Sequence, residues 1–183
     1  MGKPTLLGIS GSLRAGSYST AVLQTLADEV ADRAELVPHD LRLVPLYDQD
    51  LDTDDPPAGV AALREAIAAA DGLVIVTPEY NYGLPGVLKN ALDWASRPYG
   101  KASLHAKLVV TMSNSPAFTG GVRALSQLHE TLLATQSVIV PRPQTVIAEV
   151  HKKVEDGRLV DEASLRFALE AIDDLRTLIR NRA

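Results

Sequence analysis

Small polar residues and one arginine follow the first apolar segment of the chain. Residues 10–19, SGSLRAGSYS, contain four serines and an arginine directly after a run of strand length. In open α/β sheets, ligands bind where strands end, and the next helix presents its free amide groups there. Hydroxyl, guanidinium and amide donors suit a phosphate, so the segment predicts a phosphate-binding loop. The alternative is a turn that only caps the helix, although capping does not require an arginine.

Two better-known motifs nearly match this loop and fail. Gly11 and Gly16 have the spacing of a nucleoside-triphosphate loop, but Ser17 and Tyr18 stand where that motif needs lysine and then serine or threonine. A nucleophile elbow would need glycine in place of Ser12. The loop is therefore predicted to hold a phosphate, and both an NTPase and a serine hydrolase are disfavoured.

Two further loops have compositions that suit a ligand. Residues 77–86, TPEYNYGLPG, hold two prolines, two glycines and two of the five tyrosines in the chain. This predicts a stiff loop at the rim of a pocket for a flat ring; tyrosines packed on the core are the alternative. Residues 113–121, SNSPAFTGG, form a third small polar loop that would be an ordinary turn on its own.

The elements that carry these loops alternate along the chain. Hydrophobic periodicity predicts strands at 5–9, 35–39, 73–76, 107–112 and 138–140, and helices at 19–30, 57–69, 85–95, 122–132 and 161–180. Strict alternation predicts a three-layer α/β sandwich with a five-stranded parallel sheet, formed by residues 1–183 as a single domain. Periodicity does not give the strand order, but in the order 2-1-3-4-5 the three loops would meet at one edge.

Composition removes several classes of function. The 183 residues include no cysteine, which excludes disulfides, zinc–thiolate sites and thiolate catalysis. A net charge of −5 argues against nucleic acid as a partner. No signal peptide or membrane-length apolar run is apparent, so a cytoplasmic protein without a membrane partner is expected.

The two signature segments together resemble one family. Residues 9–17, ISGSLRAGS, and residues 77–94, TPEYNYGLPGVLKNALDW, are similar to the two signatures of the NADPH-dependent FMN reductase family. That family has a flavodoxin-like fold and includes quinone, chromate and azo-dye reductases. The resemblance implies an enzyme that binds FMN, takes hydride from NADPH or NADH, and passes electrons to a small-molecule acceptor such as a quinone, chromate, an azo compound or free flavin.

The resemblance also assigns candidate cofactor contacts. Ser12, Arg14 and Ser17 match the residues that bind the FMN phosphate, and Ser19 replaces the usual asparagine, with a hydroxyl expected to cap the helix and reach the phosphate. The segment that lines the flavin ring corresponds to Pro78, Glu79, Tyr80, Asn81 and Tyr82. Ser115 matches a flavin contact in the third loop, where Ala117 replaces a usual glycine. No catalytic acid or base is singled out, because the flavin itself accepts the hydride.

Two non-enzymatic alternatives stay open at this point. One is an electron carrier of the flavodoxin type, and the other is a flavin-binding module without turnover. A carrier is expected to be strongly acidic with aromatic residues on both ring faces, whereas the charge here is modest. Direct oxidation of NADPH by the purified protein distinguishes the enzyme from both.

The remaining clusters are interpreted as structural. Five aspartates between positions 48 and 55 lack the glycine and glutamate of a calcium loop, so they are expected to be solvated. The four histidines lack metal-ligand spacing. The predicted helix 85–95 has more apolar surface than one sheet contact uses, which predicts that one side packs on a second copy in a homodimer or homotetramer.

Overall fold

Parallel strands alternate with helices in the computed structural model, which describes residues 2–182. The main sheet comprises β1 (Thr5–Ser10), β2 (Glu35–His39), β3 (Gly72–Pro78), β4 (Leu108–Ser115), β5 (Val138–Ile139) and β6 (Thr145–Ala148). The helices are α1 (Tyr18–Glu29), α2 (Ala58–Ala69), α3 (Gly86–Ala95), α4 (Val122–Ala134) and α5 (Glu162–Arg182). The strand order is β2-β1-β3-β4-β5 with parallel neighbours, which confirms the predicted fold class and the order that brings the loops together.

Apolar side chains on both faces of the sheet create the three layers. Leu6 of β1 packs in a cluster with residues of α1 and α5, whereas its neighbour Leu7 packs in a second cluster with α2, α3 and α4. Successive residues of a strand point to opposite faces, so a strand buried on both faces must be apolar throughout. The central strand β3 meets this condition, because residues 73–76 are all fully buried.

The fifth strand position is occupied by two short strands. β5 pairs with the beginning of β4, and β6 pairs with its end from Met112 to Ser115. Residues 141–144, PRPQ, separate them, and the two prolines lack the N–H groups that a continuous ladder would need. The prediction of a strand at 138–140 captured only the first piece.

Two strands extend two or three residues beyond their predicted ends at the edge where the loops begin, and β1 extends by one. β3 continues through Thr77 and Pro78, and β4 continues through Ser113, Asn114 and Ser115. The prediction ended both strands where their apolar runs end. Polar residues extend both strands. The side chains of Thr77, Asn114 and Ser115 make hydrogen bonds there, whereas the buried hydroxyl of Ser113 has no partner.

The surplus apolar side of α3, which is expected to pack on a second copy, is covered by another segment of the same chain, and self-association itself stays a prediction. Residues 41–52, termed the strap, cross this side of the helix. The indole Nε1 of Trp94 and the amide Nδ2 of Asn90 both donate to the carbonyl of Pro45 at 2.8 Å, and the Tyr47 ring meets the Trp94 ring edge-on at 4.9 Å. The apolar surface of α3 is therefore covered within the chain.

The strap also changes the interpretation of one aspartate. Asp52 is nearly buried and binds Arg64 at 2.7 Å, whereas the other four aspartates between 48 and 55 are exposed as expected. Arg64 also donates to the carbonyl of Trp94, so this ion pair joins the strap to α2 and α3.

A small hairpin lies on the face of the sheet that carries α1, opposite the face that carries α3. β7 (Val154–Glu155) and β8 (Arg158–Leu159) pair antiparallel beside α1, where the backbone N–H of Leu159 donates to Thr25 Oγ1 at 3.0 Å. Among residues 2–182, no helix combines the length and apolar character needed to cross a bilayer.

Candidate functional site

The first loop (residues 11–17) begins where β1 runs closely alongside β3. The backbone N–H of Gly11 donates to the carbonyl of Val76 at 2.8 Å, and a Cβ at Gly11 would lie 2.7 Å from Thr77 Oγ1. Only glycine allows this approach. The loop then turns back through a bond from the N–H of Ser17 to the carbonyl of Arg14 at 3.0 Å, which brings it to the start of α1.

The first loop has hydrogen-bond donors and no acidic side chain. It contains no acidic residue, and the first turn of α1 has none. The guanidinium of Arg14 is exposed and lies 5.5 Å from the centre of the Tyr18 ring, while the nearby Asp40 pairs with Arg42 instead. A cation, hydroxyl groups and a helix N-terminus together favour an anion.

The two serines at the start of α1 have different positions. Ser17, and not Ser19, caps the helix, because its Oγ accepts from the N–H of Thr20 at 3.3 Å. Ser19 is fully buried, and its Oγ accepts a bond of 2.7 Å from the amide Nδ2 of Asn114. The expectation that Ser19 caps the helix is therefore wrong; its phosphate contact stays untested, although its hydroxyl already has a partner in the core.

The second loop (residues 79–85) forms a tight turn that exposes aromatic side chains. Tyr80 and Gly83 exchange two backbone hydrogen bonds of 3.1 and 2.9 Å, and both Asn81 and Tyr82 between them have positive φ. This is the geometry of a type I′ turn. The side chain of Tyr80 is 50% exposed and that of Tyr82 is 70% exposed, so the alternative of tyrosines packed on the core does not hold.

Glu79 anchors the second loop to α4. Its carboxylate accepts from the backbone N–H groups of Arg123 and Ala124 at 3.0 and 3.2 Å, and the side chain is only 9% exposed. These amides have no partner within the helix, and the positive end of the helix dipole favours the charge. The Glu79 side chain thus positions the loop, which leaves its main chain available to a ligand. Arg123 lies 4.4 Å from the centre of the Tyr82 ring and covers it on one side.

The third loop (residues 116–121) begins at the end of β4. The Oγ of Ser115 accepts from the N–H of Ala117 at 3.1 Å, which makes a local turn with alanine at the position expected to be glycine. The loop reaches α4 through Gly120 and Gly121, both with positive φ. Because Pro78 of β3 is in register with Asn114 of β4, Ser115 lies at the same edge of the sheet as the second loop.

One direct contact joins the first two loops, and one buried side chain joins the elements that carry all three. Ser12 Oγ and the Tyr80 hydroxyl are 3.3 Å apart, which links the first loop to the second. Beneath them, the Asn114 amide donates to Ser19 Oγ and also to the carbonyl of Thr77 at 3.3 Å. The donors of the first loop and the exposed tyrosines of the second therefore share one edge.

The donor set at this edge fits FMN. Arg14, Ser12 and Ser17 surround the start of α1 without a competing carboxylate in the loop, as a phosphate dianion requires. The adjoining turn offers aromatic side chains and free main-chain groups for a flat, polar-edged ring. No group of metal-ligating side chains is present in the described part of the chain.

Sequence reasoning missed Asn114 as a residue that organises the site. It was counted among ordinary turn residues, yet it is buried and joins α1, β3 and β4. The signal was its position two residues after the apolar run that ends at Met112, because a buried amide there needs partners from neighbouring elements. Those partners depend on the strand order, which the sequence does not reveal.

Known proteins resemble this chain over most of its length. The family model described as NADPH-dependent FMN reductase matches residues 4–152. The chain is 36% identical over 176 residues to an NAD(P)H-dependent FMN reductase of Pseudomonas aeruginosa, covering 96% of this chain and 95% of that protein. It is also 36% identical over 168 residues to a quinone reductase of Escherichia coli K12, covering 89% and 88% of the two chains.

A solved structure has the same architecture. FerB, a flavoenzyme NAD(P)H:(acceptor) oxidoreductase from Paracoccus denitrificans, superposes with a TM-score of 0.84 at 30% identity. The match covers 97% of this chain and 98% of FerB. The flavodoxin-like fold therefore extends over both chains almost completely.

Proposed function

The chain belongs to the NADPH-dependent FMN reductase family, and from that premise we propose that it passes electrons from NAD(P)H through FMN to a quinone. The flavin-dependent oxidoreductase activity and the use of FMN with NAD(P)H follow from the family. The quinone as acceptor, the individual cofactor contacts and the assembly are the parts proposed here.

One observation carries the proposed site. Ser12 of the first loop lies 3.3 Å from the hydroxyl of Tyr80 in the second, so a phosphate-type donor set and an aromatic turn adjoin each other. We assign the FMN phosphate to the side chains of Ser12, Arg14 and Ser17, with the first amides of α1. The ring is assigned to the main chain of residues 78–82 and to Ser115.

Bound FMN supplies the hydride-accepting and electron-donating chemistry, so the chain needs no nucleophile of its own. Its side chains bind the phosphate, fix the tyrosine turn through Glu79 and leave one side of the site open. The exposed aromatic side chains of Tyr80, Tyr82 and Phe118 at this edge favour a planar, conjugated ring as acceptor. A quinone meets that description better than an oxyanion such as chromate.

The test is a spectrum followed by two titrations. The purified protein is expected to be yellow, or to become yellow when FMN is added, and to lose this colour under anaerobic conditions when NADH or NADPH is added. A benzoquinone should then restore the colour faster than chromate, an azo dye or free flavin. A protein that binds no FMN contradicts the function, whereas a faster reaction with chromate contradicts only the acceptor.

Steady-state kinetics separate an enzyme from an electron carrier. If donor and acceptor use the same open side in turn, double-reciprocal plots at several acceptor concentrations should be parallel. Intersecting lines would contradict a shared position. No direct oxidation of the dinucleotide by the FMN-loaded protein would favour a carrier or a binding module.

We propose residues 1–183 as one catalytic domain that self-associates as a homodimer or homotetramer in the cytoplasm. The continuous sheet supports a single domain, and NAD(P)H as electron donor supports the location.

The apolar side chains of Leu43 and Leu46 are exposed on the strap and support self-association through that surface. Light scattering of the wild-type protein and of Leu46→Ser tests this, and a monomeric wild type would contradict it. The net charge of −5 supports neither nucleic acid nor an anionic membrane as a partner.

A further inference from the structure

A pocket lies beside the first loop, on the side of the sheet away from the tyrosine turn. Its volume is about 210 Å³. One wall is formed by the first loop, and the opposite wall is formed by the end of β2 and the residues after it. Because β2 and β3 lie on opposite sides of β1, the pocket extends away from the edge assigned to the flavin ring, and it adjoins the assigned phosphate site through Ser12 and Arg14. Its polar lining consists of Ser10, Ser12, Arg14, Thr20, His39, Asp40 and Arg42.

A hydrogen-bonded ion pair between Asp40 and Arg42 borders the pocket. Arg42 donates from Nη1 to both carboxylate oxygens of Asp40 at 3.1 and 3.0 Å, and from Nη2 to the carbonyl of Leu13 at 2.9 Å. The backbone N–H of Arg42 donates to the same carboxylate at 3.0 Å and is the main cause of a lowered pKa of Asp40. These bonds hold the carboxylate in one orientation directly after β2, and they tie it to the first loop.

The carboxylate of Asp40 remains open to a ligand. Its side chain is 57% exposed and that of Arg42 is 56% exposed, so the pair leaves acceptor positions on Asp40 facing solvent. The charge of Arg42 is neutralised by this contact. The other ionisable side chain of this wall, His39, has a pKa lowered by burial, which favours its neutral form. The β2 wall therefore accepts hydrogen bonds and offers no uncompensated positive charge.

The position suits the far end of a dinucleotide. Two strand spacings separate β2 from β3, about 10 Å in a parallel sheet. A nicotinamide dinucleotide has two riboses and two phosphates between its rings, so in an extended conformation it spans this distance. With the nicotinamide at the flavin edge, its adenosine ribose reaches the end of β2. In dinucleotide-binding α/β folds, an acid after the second strand accepts from the free ribose hydroxyls.

Building on the proposed function, we propose that this pocket binds the adenosine ribose of the electron donor and that Asp40 accepts a hydrogen bond from its 2′-hydroxyl. The enzyme then uses NADH in preference to NADPH. A 2′-phosphate would face the carboxylate of Asp40, while Arg42 is committed to that carboxylate and to Leu13. Ser12 and Arg14 also border the pocket, but both are assigned to the FMN phosphate.

Asp40→Asn tests this proposal, with Asp48→Asn as the matched control. Both aspartates cap a short 3₁₀ turn by accepting from the N–H two residues ahead, at 3.0 Å in each case. Asparagine caps as well as aspartate, so either variant keeps the turn and loses the charge, and Asp40→Asn also loses the ion pair with Arg42. Asp48 lies outside the residues that line this pocket.

The measured quantity is kcat/KM of the FMN-loaded enzyme for NADH, NADPH and reduced nicotinamide mononucleotide. The mononucleotide lacks the adenosine half and is the reference for each variant. The wild type should favour NADH over NADPH by about tenfold or more, as a charged hydrogen bond and a repelled phosphate imply. Asp40→Asn should reduce this preference by about tenfold, because it removes the repulsion and releases Arg42 toward the phosphate. Asp48→Asn should leave the preference at the wild-type value.

Each contrary result has a distinct meaning. A wild type that favours NADPH overturns the proposal, and so does an Asp40→Asn variant with an unchanged ratio of NADH to NADPH. If Asp40→Asn lowers kcat/KM by the same factor for all three donors, the role of Asp40 is merely structural, and this result also overturns the proposal. If the FMN-loaded protein oxidises none of the three donors, the proposed function fails instead.

Discussion

The amide of Asn114 and the hydroxyl of Ser19 form a buried hydrogen bond of 2.7 Å between β4 and the first turn of α1. The same amide donates to the carbonyl of Thr77 at the end of β3. One side chain thus joins three elements that each adjoin a loop of the site: β3 and β4, which precede the second and third loops, and α1, which follows the first. The bond lies beneath the loops and joins their supports.

Asn114→Ala is therefore expected to loosen the whole site. Two buried acceptors lose their donor, and each unpaired group costs about 1–3 kcal/mol. Urea unfolding should show a loss of about 2–4 kcal/mol in the free energy of unfolding, and FMN should dissociate more readily. Asn114→Asp, which keeps the shape but cannot donate when charged, should be at least as unstable. Wild-type stability in Asn114→Ala would contradict this role.

Ser19→Ala separates the two roles considered for Ser19. A structural role predicts a reduced free energy of unfolding for the FMN-free protein, whereas a phosphate contact predicts weaker FMN binding at unchanged stability. We expect the former, with a loss of about 1–2 kcal/mol for one buried hydrogen bond. Riboflavin serves as the comparison ligand, because it has no phosphate. Weaker FMN binding with unchanged riboflavin binding would restore Ser19 as a phosphate contact.

The fold could be predicted from the sequence because its signal is local. The apolar run at residues 73–76 and the helical spacing within 161–180 each depend on neighbouring residues, and both elements are present. The strap could not be predicted, since its contacts depend on which residues lie against α3 in space: Trp94 donates to Pro45, 49 positions away. Likewise, the capping of α4 by Glu79 joins residues 44 positions apart. The loops that hold a ligand were recognisable from composition, whereas the residues that support them were not.

Arg14→Ala should weaken the binding of FMN and leave the binding of riboflavin unchanged. The exposed guanidinium has no carboxylate in its own loop, and a charged hydrogen bond to a phosphate contributes about 1.5–3 kcal/mol, roughly a 10- to 150-fold change in Kd. Fluorescence titration of the FMN-free protein measures both ligands. Arg166→Ala, which removes an exposed arginine on α5, is the control and should change neither Kd. If the affinities for FMN and riboflavin fall equally, the assignment of Arg14 to the phosphate is wrong.

Glu79→Ala should destabilise the protein through α4. The variant leaves the amides of Arg123 and Ala124 without an acceptor, and the loss of a helix cap costs about 0.5–2 kcal/mol. Glu79→Gln keeps an oxygen acceptor and should lose less, because it removes only the interactions of the charge, with the helix dipole and with Arg123 at 3.8 Å. Urea unfolding of both variants measures the difference. Equal stability of Glu79→Ala and the wild type would show that the cap contributes nothing.

Protonation of His129 should destabilise the protein below about pH 6.5, the ordinary pKa of histidine. Burial lowers the pKa of His129, whose Nε2 lies 2.7 Å from Thr111 Oγ1, so the unfolded chain binds a proton at a higher pH than the folded one. Stability therefore rises with pH across the interval between the lowered pKa and about 6.5, and falls as acid is added. His129→Gln should reduce this slope in urea unfolding at several pH values. If the slope is unchanged, the pH dependence of stability comes from other groups. His39 is the first candidate, because burial also lowers the pKa of His39.

Gly120→Ala should be far more disruptive than Gly100→Ala, although both glycines have positive φ, +62° and +78°. A Cβ at Gly120 would overlap Cγ1 of Val146 and lie 3.1 Å from the backbone nitrogen of Ala148, whereas a Cβ at Gly100 meets nothing within 4 Å. Both variants carry the cost of a left-handed backbone, about 1 kcal/mol, but only the first must also displace β6 from the end of β4. The free energy of unfolding should therefore fall by about 1–3 kcal/mol more in Gly120→Ala than in Gly100→Ala. FMN affinity should fall with it, since Ser115 begins the third loop beside β6. Equal stabilities would mean that crowding against β6 does not constrain this loop.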